Sequence, residues 1–411
     1  MMKISQEFAP PFKLIAPFFI LGSIFFVLAT LFLYTFDLAT ISYTNPQLIA
    51  FSHLFLLGFV MMIIFGAMAQ LVPVVLEVGH FGVELFYAIW PLLLVGLLMM
   101  VYGFLDSAAL LPYGGMVVLI SMMIFVAEIF LTIFKVEKLT LVMSSVLISN
   151  TFLFFGIIFG LLMALSFAGT LSLNIEALLS AHVYAVLGGY IAITIMGLSI
   201  VLIPMFTLAH SFSMRPLEIA MWMMSIAVVL VIVGSLAEIE WFNYIGYFLA
   251  PIAMGIYFSL IYTLYKTRPR KENDVYALSV IFSYLSMLGS IALFAIYFLT
   301  EKENFLLAAG WLFFFGFFAF LITGHLYKII PFLVWFERFS PLVGKQKVPM
   351  LADMVPPRAS EAQLLFSSVG VLIVTAAIIA GSNEFLYAGA SFLLMGSLAF
   401  VRNVFYMINF K

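Results

Sequence analysis

Apolar positions in this chain come in long unbroken runs, not in the alternation of a half-buried strand or the stripes of a soluble helix. Each run is long enough to cross a hydrocarbon layer of about 30 Å. Breakers and short polar intervals divide the runs into twelve predicted spans. These lie at roughly 14–35, 47–76, 83–104, 108–134, 140–167, 175–208, 217–237, 241–265, 275–299, 304–337, 362–381 and 384–408. The pattern predicts an all-α polytopic membrane protein, with residues 1–411 forming a single integral membrane domain. The longest interval, RFSPLVGKQKVPMLADMVPPRASE at 338–361, is Pro-rich and basic. It is expected to be a solvated loop on the cytoplasmic side.

Basic residues test the span count independently. With twelve spans and a cytoplasmic N-terminus, all of the 17 Lys and Arg residues except Lys302 fall on or near the cytoplasmic side. That asymmetry is what the positive-inside rule predicts, and one missed span would scramble it. Both termini are then cytoplasmic. The stretch MMKISQEFAPPFKLIAPFFILGSIFFVLATLFLY carries lysines before its apolar run and has no small-residue cleavage motif, so it reads as a retained first span.

The second, sixth and tenth spans each carry Gly and Pro seven residues apart: GAMAQLVP at 66–73, GLSIVLIP at 197–204 and GHLYKIIP at 324–331. Successive prolines are separated by 131 and 127 residues, or four spans each time. Glycine permits close helix approach, and proline leaves a backbone carbonyl that needs another partner. Matching interval, depth and direction predict three pseudo-symmetric units of four helices.

Composition agrees with this reading and narrows the chemistry. The chain is 65% apolar and 9% charged, too few charges to clothe a soluble surface. A net charge of -2 gives no sign of a nucleic-acid partner; lipid is the expected surrounding. The absence of cysteine excludes disulfides, thiolate metal sites and iron–sulfur clusters.

Four of the five histidines frame two of the repeat helices, HLFLLGFVMMIIFGAMAQLVPVVLEVGH from 53 and HVYAVLGGYIAITIMGLSIVLIPMFTLAH from 182. His53 and His182 lie at nearly the same depth, roughly 9 Å inside the outer ends of their spans at helical rise. An ionisable group at that depth needs a partner or ligand, and neutral imidazole is a good ligand for haem iron, copper or zinc. His53 and His182 are therefore the leading candidate ligands, with His325, deep in the tenth span, behind them. His80 and His210 rank lowest, because both are expected at headgroup level, where an imidazole is comfortable without a ligand. Among other polar residues, Gln70 is expected to cap the carbonyl freed by Pro73, and Lys328 to snorkel to the interface. Asn150 reads as structural. Glu77, Glu84 and Glu128 read as solvated helix ends, with proton entry as the alternative role.

Twelve spans, three four-helix units and histidines near the outer ends of spans two and six resemble subunit I of the haem–copper oxidase superfamily. Within it the chain is most similar to NnrS-type membrane proteins associated with nitric-oxide stress. The likeness is carried by HLFLLGFVMMIIFGAMAQLVP, by HVYAVLGGYIAITIMGL with the following HSFSMRPLE, and by GHLYKIIPFLVWFERFS. The resemblance implies haem b at a histidine matching His53, and it assigns the position of His182 to copper in the oxidases. The chain departs from the oxidases in span seven, which has no histidine pair, and in span ten, where AAGWLFFFGFF carries Trp311 instead. Oxygen reduction to water is therefore not expected.

The leading expectation is a haem-binding protein of the bacterial cytoplasmic membrane. It would serve nitric-oxide defence, electron transfer or haem handling, with respiratory-chain or metal-handling proteins as partners. The scarcity of basic residues on the outer side weighs against haem propionates there and leaves Trp241 and Asn243 as donors. The competing readings are a cofactor-free transporter or channel, and an assembly protein of a respiratory complex.

Overall fold

A computed structural model describes residues 8–210 and 212–411. Among them are twelve helices long and apolar enough to cross a membrane, and no strand. They are α1 Phe12–Thr35, α2 Pro46–Leu76, α3 Val83–Leu105, α4 Ala108–Ile133, α5 Leu141–Phe167 and α6 Ile175–Thr207. There follow α7 Arg215–Leu236, α8 Glu240–Thr267, α9 Val275–Thr300, α10 Glu303–Arg338, α11 Pro357–Ala380 and α12 Asn383–Ile408. The chain is an integral membrane protein of the all-α polytopic class. Two compact units divide it: one holds Ala69–Lys271, the other Pro10–Met68 with Glu272–Lys411.

The second helix of each four-helix repeat is interrupted by a π-helical segment. These segments are Leu56–Met61 in α2, Tyr184–Ala192 in α6 and Leu312–Phe318 in α10. Each contains a glycine eight residues before the repeat glycine, so the full register is Gly58–Gly66–Pro73, Gly189–Gly197–Pro204 and Gly316–Gly324–Pro331. The glycines face the preceding helix of their own repeat. A Cβ added at Gly58 would lie 2.6 Å from Phe25, at Gly189 2.4 Å from Phe152, and at Gly316 2.5 Å from Ser286. Added at Gly66, Gly197 or Gly324 it would meet Phe18 at 2.7 Å, Ser145 at 1.8 Å or Ser279 at 2.8 Å. On the preceding helix the two contact positions are seven residues apart every time, as Phe25 and Phe18, Phe152 and Ser145, Ser286 and Ser279.

Seven residues facing eight has a simple cause. Two α-turns take about 7.2 residues, and a π segment adds one residue to its helix without adding a turn. The extra residue therefore keeps both glycines on the face that meets the neighbour. The close approach itself is the small-residue packing that joins helices where lipid supplies no hydrophobic drive.

The first two copies also begin and end alike. Asn45 caps α2 through the Gln47 N–H, and Asn174 caps α6 through the Ala177 N–H. Each helix stops four residues after its proline on a left-handed non-glycine residue, Glu77 (φ 55°) and Leu208 (φ 61°). At the first of these, the Val78 N–H returns to the Pro73 carbonyl, the closing bond of a Schellman turn. The third copy has neither feature. Lys302 precedes α10 without a side-chain cap, and the helix runs on past Trp335 to Arg338.

The 338–361 interval is largely exposed, as expected of a solvated loop, but it is anchored at two points. Met354 is fully buried, and the Trp335 indole N–H donates to the Pro349 carbonyl at 2.8 Å. These contacts hold the loop against the end of α10.

Candidate functional site

His53 and His182 are each the eighth residue of their helix. His53 donates from Nδ1 to the Ile49 carbonyl one turn back, at 2.8 Å. His182 donates from Nδ1 to the Gly156 carbonyl of α5, at 2.7 Å. His325 repeats the first arrangement, Nδ1 to Leu321 at 2.7 Å, with its ring edge-on to Tyr276 at 5.1 Å. A carbonyl can only accept, so all three rings carry a proton on Nδ1. The neutral ring then has its lone pair on Nε2, and such a carbonyl bond on the other nitrogen is the usual support of a metal-ligating histidine.

The two leading candidates differ in their surroundings. The His182 ring packs against Gly156 and Gly160 of α5, and a Cβ on Gly160 would stand 3.0 Å from its Cε1. His53 sits about half a turn from Phe51 and Phe55 on α2. Those two rings enter an aromatic core and stack on Phe315 of α10 at 5.6 and 4.4 Å. His53 therefore leaves α2 on the face opposite that core.

Trp311 occupies the position that corresponds to His53, five residues before the π-segment glycine. It is buried, stacks on Phe315 at 4.3 Å, and donates its indole N–H to the Val371 carbonyl of α11 at 3.1 Å. The third copy has thus replaced an imidazole with a packing residue. Counting seven residues back from Gly316, as for His182, reaches buried Ala309.

His80 is the residue whose placement differs most from its expected headgroup setting. Its side chain is 3% exposed and bonds from Nδ1 to Glu128 Oε1 at 2.8 Å and from Nε2 to the Ala69 carbonyl at 2.6 Å. Glu128, expected at a solvated helix end, is wholly buried. Ala69 is the residue whose carbonyl Pro73, four positions on, cannot serve because it lacks an N–H. The cap expected from Gln70 is therefore supplied by His80. Both nitrogens of His80 are occupied by the protein, so it presents no lone pair to a metal.

His210 is exposed, with Nδ1 on the Leu208 carbonyl at 3.0 Å. Lys328 pairs with Asp274, where snorkelling was expected. Asn150 donates to the Val146 carbonyl of its own helix, a structural bond. Among the described residues no three His, Asp or Glu side chains come together as a metal site. No family model and no curated protein sequence matches the chain.

Sequence reasoning missed the π segments and the His80–Glu128 pair. The first had a readable signal: Gly and Gly eight apart, then Pro seven on, recurs three times. The second had none, because its partners are 48 positions apart and one lies in a loop.

Proposed function

We propose that this chain is a haem-binding protein of the cytoplasmic membrane with an architecture like that of haem–copper oxidase subunit I. In this reading His53 and His182 are the residues that would each offer an imidazole to haem b, and the ends of α2 and α6 that carry them face outward. The observation that supports it most is what they share: each is the eighth residue of its helix, with Nδ1 fixed on a backbone carbonyl. That geometry fits an iron ligand, because it sets both the tautomer and the orientation of the ring. Bound haem b would supply one-electron chemistry and an iron able to take a small ligand such as nitric oxide. The chain's own part is to orient each imidazole and keep its surroundings apolar; Gly156 and Gly160 do this for His182.

The reading places the chain in nitric-oxide defence, electron transfer or haem handling, beside respiratory or metal-handling partners. It includes no three-histidine copper centre and no reduction of oxygen to water. A transporter is less well supported, since Gly58, Gly189 and Gly316 of the three π segments pack closely against the preceding helix. Haem content tests the proposal. Purified chain from haem-replete cells should carry haem b, with less in His53→Ala and in His182→Ala. Unchanged haem content in both variants would refute the assignment.

A further inference from the structure

We propose that His80 and Glu128 form a buried proton-binding site that latches the loop after α2 onto α4. The site is built from three elements. His80 lies in the 77–82 loop, Glu128 and Thr132 on α4, and Ala69 in the last turns of α2. Glu128 Oε1 lies 2.8 Å from His80 Nδ1, and accepts from the Thr132 hydroxyl at 2.8 Å and from the Phe81 N–H at 3.1 Å.

The hydrogen-bond inventory requires a proton here. The Ala69 carbonyl only accepts, so Nε2 carries a hydrogen. If that were the ring's only proton, Nδ1 would turn a lone pair towards Oε1. An ionised Glu128 would then meet it lone pair to lone pair at 2.8 Å, in a site without solvent. The short contact is attractive only with one more proton between the two groups. The Thr132 hydroxyl and the Phe81 N–H, the latter shared with Thr132 Oγ1 at 3.0 Å, already donate to Oε1 and favour placing it on the ring, which makes an imidazolium facing a carboxylate. Among the described residues Glu128 Oε2 has no hydrogen-bond partner, so the imidazolium is the main compensation for this buried charge.

Other charged groups do not replace it. Lys135, at the end of α4, reaches the same loop but donates to the Gly79 and His80 carbonyls at 3.2 and 3.0 Å, and its Nζ stands 5.6 Å from the Phe81 ring centroid. Glu77 and Glu84, on either side of His80, are exposed. From α3 the Phe86 ring packs on the imidazole, with ring centroids 4.8 Å apart. Loss of the proton therefore leaves a buried carboxylate against a lone pair. The loop is then released and the Ala69 carbonyl is uncapped. The latch is strongest at low pH and loosens as pH rises.

The chain has no cysteine, so one introduced thiol reports alone. A nitroxide on Gly79→Cys in the full chain, reconstituted in lipid nanodiscs, should be immobilised at acid pH. Its mobile component should become dominant along a one-proton curve as pH rises. His80→Gln, which keeps a side-chain N–H donor but cannot titrate, should remove that transition. A control label on Ser382→Cys should not respond. A second arm uses the unsubstituted chain: 15N-histidine spectra should show one buried imidazole passing from doubly to singly protonated over the same pH range. Label mobility that does not change between pH 5 and 10 would overturn the proposal. So would a transition that survives in His80→Gln, or one without any change in imidazole protonation.

Discussion

Pro73 and His80 are coupled through one backbone carbonyl: the proline leaves Ala69 without its helical N–H, and the imidazole supplies the missing donor at 2.6 Å. His80→Ala should therefore destabilise the chain by about 1–3 kcal/mol, the cost of leaving buried polar groups unmet. Pro73→Ala restores an N–H for Ala69. In the double variant the loss from His80→Ala should shrink, with a coupling of about 0.5–3 kcal/mol. Thermal unfolding of the four proteins in one detergent measures it, and additive losses would show that the two residues do not share this carbonyl.

The glycine register gives a second test. Gly197→Ala would put a Cβ 1.8 Å from the Ser145 hydroxyl, a packing conflict worth about 1–3 kcal/mol. Adding Ser145→Gly opens the opposing position and should recover most of the loss. If it recovers nothing, α5 and α6 do not meet at this pair.

Glu77 and Leu208 hold left-handed backbone that a side chain disfavours by about 1–2 kcal/mol. Glu77→Gly and Leu208→Gly should each raise the unfolding temperature. Trp335→Gly, at the corresponding position of α10, should lower it, because that helix continues there. A fall in all three would contradict the divergence of the third copy.

Beyond the end of α1, the Asn383 side chain donates to Asp37, and the Ala39 N–H donates too; together they hold its carboxyl below the usual carboxylate range. A depressed folded value means that the contribution is present at neutral pH and is lost as pH falls through the folded value. Asp37→Asn should therefore flatten the acid limb of the stability curve by lowering stability at neutral pH towards the level the unsubstituted chain reaches once Asp37 is protonated. An acid limb identical to that of the unsubstituted chain would remove Asp37 from the account.

The sequence made the spans legible because hydropathy and breakers act locally. The predicted start of α2 at 47 and of α6 at 175 fall within a residue of the structure. The π segments escaped notice because one extra residue per helix leaves hydropathy unchanged. Only the match of eight against seven across a helix pair exposes it. His53 and His182 were legible as a pair by depth, yet their Nδ1 partners, Ile49 and Gly156, were not. The role of His80 was misread for the same kind of reason. Its position in sequence put it at the membrane edge, while the fold buries it against a glutamate from another helix.

Haem at His53 and His182 is tested most directly by the absorption spectrum of the purified full-length chain from haem-replete cells. The account predicts a Soret band and, on reduction, the sharp α band of haem b. It also predicts that the band weakens in Gly160→Val, which crowds the His182 ring, and is lost in the folded His53→Ala/His182→Ala double variant. A colourless unsubstituted chain, or a double variant with an unaltered spectrum, would contradict it.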